Sequence, residues 1–275
     1  MGNRQSRYTI FSYALLAVIG VIFVIPLIWL VVSAFNPNAA RSFTIPERFN
    51  FDNFRTAWAD PRTMQGFMNS IFISITQTAI VLVCAAMAAY PLSRYGLKWA
   101  NQISMVMLFL TAVPIMAIMV PVFQMFISLK LIDTQIGVIL FSATCSLPYG
   151  IWMTKNFMDA VPVELEEAAW IDGASRMTSM VRVVLPLMMP GLSTVTIFTF
   201  SGAWSNFFVP FILLQASEKM PAAVNLQRFF GMNDTVQYGP LAAYSLVYIL
   251  PSFILYFVAQ NHMSAGFTMA GGTKG

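Results

Sequence analysis

The sequence predicts an all-α membrane protein of six transmembrane helices, and three observations predict it. Charged residues are 9% of the 275 and hydrophobic residues 58%, whereas a soluble domain carries about a quarter charged residues. The 15 Lys and Arg and the 11 Asp and Glu leave the interior of every long apolar run uncharged. Six runs reach the length of about 20 residues that a helix needs to cross a hydrocarbon core of about 30 Å. Only helices or closed barrels satisfy every backbone group in lipid, and apolar runs this long without alternation are helices.

The runs lie at 9–34, 69–93, 102–127, 134–155, 187–214 and 240–262. Arg4 and Arg7 precede the first, as they would precede a leader. A leader's apolar stretch is only about 7–15 residues, so the longer run is read as a span. Six spans put both termini on one side. That side carries eight Lys and Arg residues against seven on the other, a weak lean toward cytoplasmic termini. Proline stands within or beside the spans at 26, 91, 114, 121, 148, 190, 210 and 251. Each removes a backbone hydrogen bond and tends to kink its helix.

The fifth run is the most polar at its centre. Ser201 and Ser205 share a helix face, and Gly202 and Asn206 share a neighbouring one. Uncharged hydrogen-bonding groups beside the Trp204 ring suit a neutral polyhydroxylated ligand. Small and polar residues also act as contacts between membrane helices, and the two readings stay open at this point.

Composition excludes several functions. No basic cluster interleaved with aromatics suggests nucleic acid. No Cys/His cluster suggests a metal; Cys84 and Cys145 are read as buried thiols, and His262, the only histidine, as an interfacial residue. No charged side chain sits inside a span, as a proton relay or voltage sensor requires. If the protein pumps, energy enters from outside the membrane.

Three of the five connections between the spans are long: 35–68, 156–186 and 215–239. The second is read as two short helices divided by Gly173. Glu164, Glu166 and Glu167 stand near the first helix's start, where carboxylates suit the helix dipole. Gly173 can take the positive φ that ends a helix. Met177, Met180, Val181 and Val184 then recur as an apolar stripe. Such a stripe lies on a membrane surface or fills a partner's groove.

This segment resembles the coupling loop of ATP-binding-cassette importer permeases. The family pattern is Glu-Ala-Ala, three residues, Gly, nine residues, an aliphatic residue, one residue, Leu-Pro. The chain supplies Glu167, Ala168, Ala169, Gly173, Val183, Leu185 and Pro186 in register. Over nearly its whole length it is similar to the carbohydrate-uptake permeases, and among them to the smaller inner-membrane subunit of the maltose-type importer. Pro26-Leu27-Ile28-Trp29, Asp52-Asn53-Phe54, Leu131-Ile132-Asp133-Thr134 and the tail Gly266-Phe267-Thr268 with Gly271-Gly272-Thr273-Lys274-Gly275 carry that likeness. Two positions depart from it. Trp204-Ser205-Asn206-Phe207 replaces a Trp-Asn-acid-Phe pattern, and Asn261-His262 replaces a basic pair.

The resemblance implies a type I importer transmembrane domain over 65–262, after an N-terminal helix and outer loop (1–64) and before a cytoplasmic tail (263–275). It implies a bacterial inner-membrane chain with both termini cytoplasmic. It implies four partners: a second permease subunit, a dimer of cytoplasmic ATPases that binds the ATP and Mg, an extracytoplasmic sugar-binding protein, and the sugar. This chain then hydrolyses nothing and holds no cofactor; it has no G-x-x-x-x-G-K-[ST] loop. The expected ATPase-coupling residues are Glu166, Glu167, Ala168, Ala169, Asp172, Gly173, Met177, Leu185 and Pro186. Ser201, Trp204, Ser205 and Asn206 are the expected ligand-face residues. Rival readings are a polyol or glycerol phosphodiester cargo, an ATPase-independent channel or carrier, and an intramembrane enzyme. No paired catalytic groups at membrane depth support the last.

Overall fold

A computed structural model describes residues 2–231 and 236–271, without the side chains of 2–8, 10 and 261–271. The side chains of Asn261, His262 and the tail motif fall outside what is described. All regular elements among the described residues are helical. The α-helices are α1 (Gly2–Ala34), α2 (Asp52–Trp58), α3 (Pro61–Arg94), α4 (Ala100–Leu110), α5 (Ile115–Ser128), α6 (Gln135–Asp159), α7 (Glu164–Ile171), α8 (Arg176–Ser179), α9 (Leu185–Leu187), α10 (Met189–Trp204), α11 (Phe208–Leu213), α12 (Ala222–Asn225) and α13 (Tyr238–Gly271), with short 3-10 turns at Ser217–Lys219 and Leu226–Phe229. A π turn, Met180–Val184, joins α8 to α9.

Helices α1, α3, α6 and α13 are each long and apolar enough to cross a membrane; two bent pairs bring the number to six when each pair is one span. The third run is therefore not the continuous helix expected over 102–127. Its two pieces, α4 and α5, meet at 89°. Pro114 is the cause. Its ring would strike the carbonyl four residues back, and Leu110, at that position, is the last residue of α4. The fifth run is also broken. Pro210 excludes a helical Asn206 carbonyl in the same way, so α10 stops at Trp204 and α11 starts at Phe208. Upstream, the 176–187 helical stretch meets α10 at 80°, and Pro190 sits in the first turn of α10, where its missing N–H costs nothing.

The chain forms two compact units, 1–64 with 225–250 and 65–224 with 251–275. In the first, Ala34, Ala242 and Ala243 form a small core with Leu30, Phe35, Phe54 and Leu246. Alanines let the end of α1 and the start of α13 approach closely. Asn53 secures that end. Its Nδ2 donates to the carbonyls of Ser33 (3.3 Å), Ala34 (3.2 Å) and Asn36 (2.7 Å), groups a helix terminus otherwise leaves unpaired. From Phe11 to Ile28 the side chains of α1 are exposed within this chain.

In the second unit, Ile73, Met119, Phe126, Val138, Ile139, Phe141, Val209, Leu213 and Leu214 form one core cluster, from α3, α5, α6, α11 and the residue that follows it. A second cluster gathers Ala89, Tyr90, Met158, Val161, Met180, Val184 and Met188 around the ends of α3 and α6. Thr134 caps α6 by accepting from Gly137 N–H at 3.0 Å. Cys145 is half-buried, but Cys84 is exposed on α3, contrary to expectation. An apolar run in a membrane protein need not face protein, because lipid takes its place.

Candidate functional site

The 156–186 segment is built around one turn. Residues Glu164–Ile171 form α7, and Gly173 follows with φ +86°. Gly173 N–H donates to Trp170 O (3.0 Å) and Ala174 N–H to Ala169 O (2.9 Å). That pair of bonds is a Schellman closure, which needs the left-handed residue that glycine supplies. Ser175 then caps α8, accepting from Thr178 N–H at 3.2 Å. The Arg176 guanidinium lies over two rings, Tyr95 at 5.0 Å and Trp170 at 4.9 Å. Two helices divided by Gly173 are what the sequence predicts.

The two successive glutamates of α7 have different surroundings. Glu166 is fully buried. Tyr90 Oη donates to Glu166 Oε2 at 2.8 Å, and Arg94 Nε donates to Oε1. Arg94 also donates to Val161 O (2.9 Å) and to Ser93 Oγ (3.2 Å). The Ser93 hydroxyl donates to Asp159 Oδ1 (2.5 Å), and Lys155 Nζ donates to Asp159 Oδ2 (2.6 Å). Glu166 is thus committed inside the chain. Tyr90, Ser93 and Arg94 were absent from the expected site. Their signal was a Tyr and an Arg four residues apart at the end of the second run, hence on one helix face.

Glu167, Ala168, Ile171, Asp172, Gly173 and Met177 are exposed, Ile171 at 87%. They make a face of apolar knobs with two carboxylates. Leu185 is half-buried and Pro186 exposed, while Ala169 is half-buried. The stripe expected from Met177, Met180, Val181 and Val184 divides. Met180 and Val184 are buried; Met177 and Val181 are exposed. The π turn is the reason: its wider winding rotates these residues off the 3.6-residue periodicity on which a stripe depends.

At the break after α10 the four expected ligand-face residues separate. Ser205 is exposed and its hydroxyl donates to Ser201 O at 2.8 Å. Ser201 is half-buried. Asn206 Oδ1 accepts from Val209 N–H at 3.2 Å and starts α11. Trp204 is not on an open face. It is 2% exposed and packs between Phe67, at 6.2 Å between centroids, and Phe200, stacked at 5.9 Å. Its indole is a core element, because helix phase turns position 204 toward α3. The open face instead carries Phe198, Gly202 and Ser205 at i, i+4, i+7 spacing. Tyr149 of α6 meets Phe198 at 6.1 Å and Trp152 at 6.4 Å. Sequence reasoning missed these rings because an aromatic in an apolar run has no contrast with its neighbours.

A third constellation holds the 213–222 segment. Asp133 Oδ1 accepts from the N–H groups of Gln215 and Ala216, both at 3.0 Å, and Lys219 Nζ donates to Oδ2 at 2.7 Å. The Ala216 N–H bond, then Lys219 and Gln215, hold the Asp133 carboxyl down at about 2. Asn69 Nδ2 donates to Glu218 O (2.8 Å) and Met220 O (3.1 Å), and Ser70 Oγ accepts from Ala222 N–H (2.8 Å).

Comparison with known proteins decides what such a chain is. The family described as binding-protein-dependent transport system inner membrane component matches residues 80–263. The chain belongs to this family. It is similar to the galactooligosaccharides transport system permease protein GanQ of Bacillus subtilis, 31% identical over 100% of this chain and 99% of that one. It is also similar to the diacetylchitobiose uptake system permease protein NgcG of Streptomyces coelicolor, 29% identical over 95% of this chain and 88% of that one. In fold it matches a bacterial ABC transporter involved in import of the polysaccharide alginate, with a TM-score of 0.81, 22% identity, and 94% and 97% of the two chains covered. The protein is therefore a membrane-embedded permease subunit of an importer and stands with the sugar permeases. It is a translocation subunit rather than an enzyme, and ATP hydrolysis belongs to a separate ATPase.

Proposed function

We propose that this permease carries a neutral sugar through the bacterial inner membrane as half of a pathway completed by a second permease subunit. Its α7 loop docks into a cytoplasmic ATPase dimer, which binds the ATP and Mg. An extracytoplasmic binding protein delivers the sugar, and both termini are cytoplasmic. The observation that carries this reading is the exposed face of α7 and its turn. Glu167 and Asp172 flank Ile171 and Met177 there, a set that suits a partner groove with an apolar floor and a cationic rim. Glu167 acts by charged docking and Gly173 by the turn. Ala168 and Ala169 keep α7 thin enough to enter a groove, while Leu185 and Pro186 lead toward α10.

The sugar is supported by a second surface. Tyr149, Trp152 and Phe198 offer ring faces, and Ser201 and Ser205 offer hydroxyls. No charged residue stands on it, which disfavours a glycerol phosphodiester. Pull-down of the tagged, detergent-solubilised protein from its native membrane tests the assembly. A cassette ATPase, a second permease and a sugar-binding protein identified by mass are the expected companions. Isolation of the chain alone as a stable homo-oligomer that conducts solute without ATPase would replace this reading with a channel.

A further inference from the structure

We propose that Glu166, Tyr90 and Arg94 form a clamp that makes the docking helix move as one body with the ends of α3 and α6. The inference rests on the docking reading of α7. A helix of eight residues is too short to be stable alone; isolated helices need about 12–15 residues to be even marginal. Val163, ahead of α7, supplies no side-chain cap. A partner pulling on Glu167 moves the spans only if something ties α7 to them.

The buried carboxylate of Glu166 is that tie. It accepts from two residues of α3, one turn apart, through separate oxygens. Arg94 reaches past it to Val161 O and so fixes the connection that leads into α7 as well. Ser93, Asp159 and Lys155 carry the bonded chain on to the end of α6. Apolar contacts alone would permit sliding, since they have no preferred direction. Charge-assisted hydrogen bonds do have one, and burial of Glu166 makes an unpaired carboxylate there costly if they break. On the far side the chain has Gly173, a π turn and the 80° bend before α10. Movement of α7 therefore carries α3 and α6 with it and is taken up at the 80° bend before α10. Glu166, Tyr90 and Arg94 are positioning residues, each acting through α7.

The test measures the distance between spin labels at Glu164→Cys, on α7, and Leu97→Cys, past the end of α3, with Cys84 and Cys145 replaced by Ser. Both labelled positions are exposed. The assembled complex is compared without nucleotide and with ATP plus vanadate. With the clamp intact, one narrow distribution persists in both states. Glu166→Gln and the milder Tyr90→Phe, which keeps its ring contact with Tyr95, at least double its width and make its mean depend on nucleotide. Arg94→Lys, which keeps the charge but not the fork, falls between. If Glu166→Gln fails to insert, Tyr90→Phe decides alone. Variant distributions that superimpose on the parent's overturn the clamp, as does a parent distance that changes with nucleotide. If no ATPase accompanies the permease, the docking reading fails instead. The clamp is then still read from the width in the permease alone in nanodiscs.

Discussion

Lys219 grips Asp133 twice, its ammonium donating to the carboxylate and to the main-chain carbonyl, both at 2.7 Å. Asp133 takes φ +55°, a left-handed conformation that Asp tolerates better than most residues. This turns the carboxylate back onto the 215–216 amides. Because the folded pKa, about 2, lies below the ordinary 3.8, the bonds favour the ionised form. Their contribution is complete above pH 4 and is lost as pH falls from 4 toward 2. Asp133→Asn should lower the thermal midpoint in detergent at pH 6. The gap from the parent should close as pH approaches 2, followed by tryptophan fluorescence. A gap that does not vary with pH contradicts the ion-pair account.

Asn53 and Gly239 form a second dependent pair. A Cβ at Gly239 would overlap the Asn53 amide, whose Nδ2 serves three carbonyls at the end of α1. Losing one buried donor costs about 1–3 kcal/mol. Asn53→Ala and Gly239→Ala should each destabilise by that order. Asn53→Asp should be worse than Ala, because it faces carbonyl oxygens with a carboxylate. Unfolding in detergent ranks the three, and an Asp variant as stable as Ala would remove the donor role.

How much of this was legible follows from what lipid and spacing impose. The spans were legible because each must be about 20 apolar residues long. The coupling turn was legible because one glycine at a fixed distance from Glu167 dictates it. The breaks at Pro114 and Pro210 were not, since a proline in an apolar run either kinks the helix or ends it, and packing chooses. The buried role of Trp204 was not, because membrane sequences lack the polar contrast that marks an inward face. Met180 and Val184 were read with Met177 and Val181 as one stripe for a membrane surface or a partner's groove, because a π turn leaves no mark in the periodicity. Glu166 looked equivalent to Glu167 because one step along a helix is invisible until Arg94 and Tyr90 are placed beside it.

Gly191 of α10 and Phe157 of α6 touch so closely that any added Cβ would enter the ring. Forcing a methyl into such a contact costs typically about 1–3 kcal/mol. Gly191→Ala should therefore destabilise, and Phe157→Leu should relieve part of the loss. A double-mutant cycle on thermal midpoints reads the coupling between the two sites. Strict additivity would show that the helices separate rather than clash.

Gly173 separates two explanations of its own importance. A Cβ there meets no atom within 4 Å, so a side chain costs only the φ of +86°. For most residues that conformation costs about 1–2 kcal/mol, and Asn pays least. If the turn alone matters, Gly173→Asn should keep co-purification with the ATPase near the parent level and Gly173→Val should lose most of it. Gly173→Asp tolerates the same conformation but adds a third carboxylate beside Asp172 and Glu167 on the exposed face. It should insert normally and still release the ATPase if close fit at position 173 governs docking. Asp and Asn variants that retain the ATPase equally, while Val releases it, would assign the residue to backbone geometry alone. Retention by all three would remove Gly173 from the docking face, leaving Glu167 and Ile171 to carry it.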